Sequence, residues 1–146
     1  MVPRIETARL GDLAAVLNLL AASKLPEAGV REHFAHFLVA RGEADLLGVV
    51  GLELRGNNAL LRSLVVSSGA RGKGLGLALS KAALNLARQR GASRVYLLTE
   101  TAAKFFPRFG FRAIPRDHAD PAIKESVEFQ GACPQSAVCM VLDLAG

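Results

Sequence analysis

Apolar residues recur along this chain with two different periods, and the changes of period mark its elements. Leu13, Val16, Leu17 and Leu20 step by three and four, which places them on one face of a helix over Leu13–Ser23 that Asp12 can cap. Arg4–Arg9 ahead of it alternates and predicts a short strand. Lys24–Gly29 interrupts the helix, and Pro26 suits the start of a second short helix over about Ala28–Phe34. Phe37–Ala40, Leu46–Leu54 and Ala59–Val66 are short apolar runs. The polar turn Arg41–Asp45 and the hairpin signal Gly56-Asn57-Asn58 separate them, so the three read as an antiparallel meander.

The period returns to helical after Ser67. Leu75, Leu79 and Leu86, with alanines between, give an apolar stripe over Leu75–Arg90, and Gly91 suits its end. Arg94–Thr99 is a strand, and Thr101–Arg108 a short helix that Pro107 limits. Phe111–Ile114 and Ser136–Leu144 are the last strands. Between them Pro115–Pro134 predicts a polar connection of about 20 residues, a length usually functional or disordered. The order is β-α-α-β-β-β-α-β-α-β-β.

Composition narrows the class. The chain has 146 residues, 51% hydrophobic and 21% charged, with mean hydropathy +0.28. That fits a single domain over 1–146 with a full apolar core and argues against disorder. No apolar run approaches the roughly 20 residues that span a bilayer, and Met1–Leu10 has no apolar signal segment. A soluble, cytoplasmic protein without a membrane partner is expected. Cys133 and Cys139 have no zinc-spaced partners, so no metal is expected. Cys139, in an apolar run, reads as a buried thiol, whereas Cys133 before Pro134 reads as more exposed. The net charge of +5 is spread along the chain, with one Tyr and no Trp. A polyanionic small ligand explains it better than nucleic acid, which would want stacking platforms.

The chemistry concentrates in Arg71-Gly72-Lys73-Gly74-Leu75-Gly76, between an apolar strand and the long helix. Alternating glycines let backbone N–H groups approach a ligand, and a helix N-terminus stands behind them. Such a site suits a pyrophosphate, with Arg71 and Lys73 adding charge-assisted contacts. The loop lacks the Gly-Lys-Ser/Thr ending of a Walker sequence and the spacing of a dinucleotide fingerprint.

This loop resembles the acyl-CoA loop Q/R-x-x-G-x-G/A of the GNAT acetyltransferase superfamily. Leu64-Val65-Val66 resembles the strand before that loop, and Phe105-Phe106-Pro107-Arg108-Phe109-Gly110-Phe111 resembles the family's aromatic–GF segment. The resemblance covers essentially the whole chain. It implies an α+β, three-layer α/β fold with a mixed, mostly antiparallel central sheet flanked by helices. It also implies acetyl-CoA as co-substrate. Backbone around Leu64, Val65 and Val66 would hold the pantetheine and acetyl carbonyl, the Arg71–Gly76 amides the pyrophosphate, and Phe105 and Phe106 would line the thiol end. Strands splayed between Val66 and Arg94 would admit the pantetheine arm.

The C-terminal third, with Pro121-Ala122-Ile123, Ser126, Glu128-Phe129 and Cys133-Pro134-x-Ser136-Ala137, is similar to arsenic-resistance-associated GNAT enzymes. So are Leu25-Pro26 and Leu60-Leu61-Arg62-Ser63-Leu64. More loosely, the chain is similar to amino-acid N-acetyltransferases. The likeness implies a small amino-acid-like amine, arsenic- and phosphorus-containing amino acids included, and a detoxification role.

Amine acetylation needs a base for the ammonium and a donor for the oxyanion. The amide near Val66 is the expected donor. Leu60 stands where some relatives carry a Glu, and Phe106 where many carry a Tyr. Glu100 is therefore the candidate base, acting directly or through water, against a plain reading as a helix N-terminal carboxylate. Glu53 is a second candidate base, against a plain reading as a solvent-facing strand residue, and Tyr96 reads as packed. His33 and His36 read as surface or partly packed. Arg62, with Ser63 beside it, and then Arg116 and Arg112, are candidates for gripping a substrate carboxylate. Two other functions compete with this one. A peptide or protein N-acetyltransferase needs an open groove, and a non-catalytic acyl-CoA sensor needs no base. A monomer or a homodimer fits equally.

Overall fold

The computed structural model describes residues 3–144. Its strands are β1 Arg4–Thr7, β2 Phe37–Arg41, β3 Leu46–Arg55, β4 Asn58–Val66, β5 Arg94–Thr99, β6 Arg112–Ile114 and β7 Val138–Asp143. Its helices are α1 Leu13–Ala22, α2 Val30–His33, α3 Leu75–Gln89 and α4 Pro121–Lys124. The strands form one sheet in the order β1-β2-β3-β4-β5-β7-β6. Every pairing is antiparallel except that of β4 with β5. This is the mixed sheet flanked by helices that the sequence implied.

Strand alternation sorts the core into two layers. Leu38, Ala40, Val50 and Leu52 face Leu75, Leu79, Ala83 and Ala87 of α3. Phe37, Val39 and Val49 point the other way and meet Val16 and Leu20 of α1 with Val30 and Phe34. Farther along that second face, Leu60, Tyr96, Cys139 and Val141 pack on Ile123 of α4. Each fully buried leucine of the α3 stripe contributes about 1.5–3 kcal/mol of hydrophobic stabilisation. A Cβ at Gly51 would lie 2.3 Å from the ring of Phe37, so any side chain there must displace that buried ring.

Two expectations change. The helix expected over Thr101–Arg108 is a 3-10 turn, Phe106–Phe109, because Pro107 leaves no room for a regular helix. The 115–134 connection is not an open polar loop. It carries α4, a 3-10 turn over Arg116–His118 and a wide turn over Glu128–Ala132, and it buries Ile123, Ser126, Glu128 and Cys133. Asp120 caps α4 by accepting from the amide of Ala122 at 2.9 Å. Pro121 follows at the first helical position, where its missing N–H costs nothing.

Candidate functional site

The site starts from a failure of two parallel strands to stay together. β4 and β5 pair only over Asn58–Leu60 and Arg94–Tyr96. Beyond that they diverge, and a cleft of about 780 Å³ opens between Leu61–Val66 and Leu97–Ala102. A bulge in β4 accompanies the split. Val49 pairs with Val65 but Gly51 with Arg62, so one residue of β4 is extra. Ser63 absorbs it with φ 62°, a left-handed conformation unusual for a non-glycine residue. The extra residue reverses the alternation. Leu60 and Arg62 face the α1/α2 side, but so does Val65, while Leu64 and Val66 turn toward α3.

The bulge and the fork leave backbone free. Ser67 donates its amide to Leu47 O at 2.8 Å on the β3 side. By antiparallel alternation the N–H of Val66 therefore points to the opposite edge, into the fork. Its carbonyl accepts from Arg71 Nε at 3.1 Å, which ties the glycine loop to the strand end. Gly72 and Gly74 adopt φ 80° and 77°, values that a Cβ would strain. Among the described residues, no backbone bond uses the amides of residues 71–74. They stand at the N-terminus of α3, fifteen residues long, whose dipole adds positive potential there. A Cβ built on Gly72 or Gly74 meets no atom within 4 Å, so the loop is an open cradle. Its exposed amides, Arg71 and Lys73 fit a pyrophosphate, and the fork beyond fits an extended arm.

Phe105 and Phe106 close the loop side of the fork. Their rings sit edge to face at 5.1 Å, and Phe106 continues to Phe111 at 5.6 Å. Phe106 is buried and borders the cleft. Phe105 lies 3.9 Å from where a Cβ on Gly76 would sit, so aromatic turn, helix start and the end of β4 converge. No phenol occupies this corner, since Tyr96 is buried in the sheet. Glu100 stands on the cleft rim, exposed, and Thr99 Oγ1 beside it accepts from the amide of Ala102 at 2.9 Å.

The floor of the cleft is charged, and here the structure corrects the sequence. Glu53 is not a solvent-facing strand residue but fully buried. It receives Arg62 Nη1 at 2.7 Å and Arg55 Nε at 2.9 Å, and His33 Nε2 lies 3.6 Å away. Burial pushes the Glu53 carboxyl up, but hydrogen bonds from Arg55, Arg62 and Ser126 outweigh it, and the net direction is down. His33 is held below its ordinary value by burial, which prevails over the attraction of Glu53. Arg62 borders the cleft but is not a free anchor. Its Nε donates to Ser63 Oγ at 3.1 Å, and its Nη2 to Ala28 O at 2.7 Å and Pro26 O at 3.3 Å. Ser63, also expected at the substrate, is the partner of that guanidinium. Arg116 is likewise committed: it donates to Pro134 O at 2.8 Å and Glu128 O at 3.2 Å, and lies over the Phe129 ring. Arg112 is exposed on β6, remote in sheet order from the fork.

Three cleft residues were missed. Glu128, buried in the wide turn, borders the floor, and burial pushes its carboxyl above the ordinary range. Cys133 beside it is buried rather than exposed, its thiol pushed up to about 12 by burial and then by Glu128. Nothing in the local pattern of a polar connection marks either as inward-facing. Lys24 stands at the lip with φ 57°, two residues past the end of α1 in a position that usually takes glycine. Among the described residues, no group of three His, Cys, Asp or Glu side chains could hold a metal. Nor is any helix among them long and apolar enough to cross a membrane.

A sheet forked at a bulged strand, with an amide-lined loop at the fork, is a cleft shaped for a ligand with an anionic head and an extended arm. The model of the acetyltransferase (GNAT) family matches residues 13–111, and the chain belongs to that family. N-acetylglutamate synthase from Neisseria gonorrhoeae, solved with coenzyme A and N-acetyl-glutamate, superposes with a TM-score of 0.84 at 20% identity. That match covers 100% of this chain but 36% of the synthase, so the chain spans about a third of its length. Rv2747 from Mycobacterium tuberculosis, solved with CoA, gives 0.79 at 23% identity over 98% of this chain and 100% of that one. The PaiA N-acetyltransferase from Thermoplasma acidophilum, also with coenzyme A, gives 0.68 at 16% identity, covering 98% and 99%. No curated protein sequence matches the chain.

Proposed function

We propose that the chain works as one domain that moves an acetyl group from acetyl-CoA to the amine of a small, amino-acid-like molecule, arsenic- and phosphorus-containing amino acids included. The observation that carries this reading is the make-up of the cleft: its loop end is open and amide-rich, whereas Glu128, Cys133 and Pro134 of the folded 115–134 segment line its other side. A side walled by that folded segment suits a small acceptor better than a peptide, which needs an open groove. Similar folds have been solved with coenzyme A and with N-acetyl-glutamate or L-arginine, which favours an amino-acid-like acceptor. Coenzyme A, when bound, supplies the activated acetyl thioester.

The residues divide the work. The Arg71–Gly76 amides and side chains hold the pyrophosphate, and Val66 N–H polarises the acetyl carbonyl where charge develops. Leu64, Val65, Phe105 and Phe106 flank the arm and thiol end. Glu100 on the rim accepts the released proton through water. Arg62 is occupied with Glu53 and backbone carbonyls, so Lys24 at the lip is the cation we assign to an acidic group on the acceptor. The deciding experiment follows acetyl-CoA consumption with amino acids, their arsenic and phosphorus analogues, polyamines and peptides. Turnover with amino-acid-like amines is expected. Preference for peptides, or coenzyme binding with no turnover of any amine, would sink the reading.

A further inference from the structure

Glu128 is the one charged cleft residue to which the reading above gives no work. Its side chain is 4% exposed, and it is one of the groups bordering the cleft. Three groups face it from the elements packed around it. Arg62 of β4 brings Nε to 3.4 Å from Oε2, Glu53 of β3 lies on the other side of the same guanidinium, and Cys133 approaches from its own segment. None of them fully satisfies it. Arg62 spends that Nε proton on Ser63 Oγ and its remaining nitrogens on Glu53 and on the Pro26 and Ala28 carbonyls. The Cys133 thiol is a weak donor. A carboxylate has about four lone-pair sites, so Glu128 keeps room for a donor arriving through the cleft.

We propose that Glu128 receives the acceptor's ammonium group at the cleft floor and takes its proton first, handing it on through water to Glu100 at the rim. This rests on the acetyl-transfer reading above. The acceptor enters as R–NH3+, and one proton passes from its nitrogen to a Glu128 oxygen. The freed lone pair forms a C–N bond to the acetyl carbonyl carbon. The C–S bond breaks with its electron pair on sulfur, and a second nitrogen proton goes to that sulfur. The products are the N-acetyl compound, the free thiol and one proton on Glu128, which leaves to solvent past Glu100. Burial pushes Glu128 up while Arg62 draws it back, and the net direction is up, so this carboxylate holds a proton more readily than an ordinary one.

The residue is also positioned. Arg116 donates to the backbone carbonyls of both Glu128 and Pro134, clasping the ends of the turn that carries the carboxylate. Ser126 Oγ accepts from the Glu128 amide at 3.2 Å, fixing the start of that turn.

The test is Glu128→Gln, assayed on the full chain with the best amine from the panel. Expected are a fall in kcat of about a hundredfold or more, calorimetric affinity for coenzyme A within about twofold of the parent, and loss of the acidic limb of the kcat/KM profile that the carboxylate contributes. A kcat within a few-fold, with that limb intact, overturns the proposal. Should the glutamine variant not fold, Glu128→Asp withdraws the charge by one methylene. It should lower kcat at least about tenfold while keeping the acidic limb, and unchanged kcat there overturns the proposal as well. Failure of the acetyl-transfer reading is distinguishable, since it shows as a parent enzyme that turns over no amine.

Discussion

Single positions carry two of the consequences. Gly74 holds φ 77° at the residue that caps α3. An aspartate there would strain the backbone and set a negative charge among amides that the loop offers to an anion. Gly74→Asp should weaken coenzyme A binding at least about tenfold, roughly 1.4 kcal/mol. Unchanged calorimetric binding would remove the loop from the cofactor site. Arg62→Ala has a different expected signature from that of a surface anchor. It leaves Glu53 buried and short of a partner, which costs about 3–5 kcal/mol. Thermal denaturation should show a loss of stability that no substrate-specific rise in KM accompanies. An equally stable variant with a KM effect confined to acidic acceptors would restore Arg62 as the anchor.

At the scale of elements, the 115–134 segment supplies one wall of the cleft. Its polar composition predicts a loop, yet Asp120, Pro121 and the clasp of Arg116 make it a folded wall. Arg116→Leu removes donors from the Glu128 and Pro134 carbonyls among others and should cost about 1–3 kcal/mol. Proteolysis should then begin within 115–134, and a variant as resistant as the parent would show that the segment is held without the clasp.

The molecule as a whole links charge and fold through pH. Glu6 and Asp12 are lowered, first of all by hydrogen bonds from Arg41, and Glu53 is lowered on balance despite burial. Lowered carboxylates contribute stability above their ordinary range, and it is lost as pH falls through that range to the lowered values. His33, held below its ordinary value by burial, adds a loss that begins as pH falls below about 6.5. Glu128, raised by burial, works in the opposite sense, because its protonated form is the one the fold favours. The melting temperature should therefore be level near neutrality, decline below about pH 6.5 and fall steeply below about pH 4. A melting temperature constant down to pH 4 would contradict the assigned directions.

The sequence alone determined what depends on local pattern. The α3 stripe, the Gly56 hairpin, the β5 run and the glycine loop each follow from spacing within one element, so their bounds agree with the structure to within a residue or two. The loop residues Arg71–Gly76 stood out for the same reason, and Phe105 and Phe106 through resemblance to a family segment; the structure sets the aromatic turn beside the start of α3. Only tertiary structure decided which side chains share a space. One extra residue at Ser63 reverses the faces of β4 beyond it, and periodicity cannot place a bulge absorbed by a non-glycine residue. Glu53 and Arg62 lie nine residues apart on neighbouring strands and Glu128 far from both, and each is of a residue type usually found at the surface. They become one buried cluster because the sheet pairs β3 with β4 and the 115–134 segment folds back over both. Burial of charge is settled by partners that long-range packing supplies, and no local window of sequence contains them.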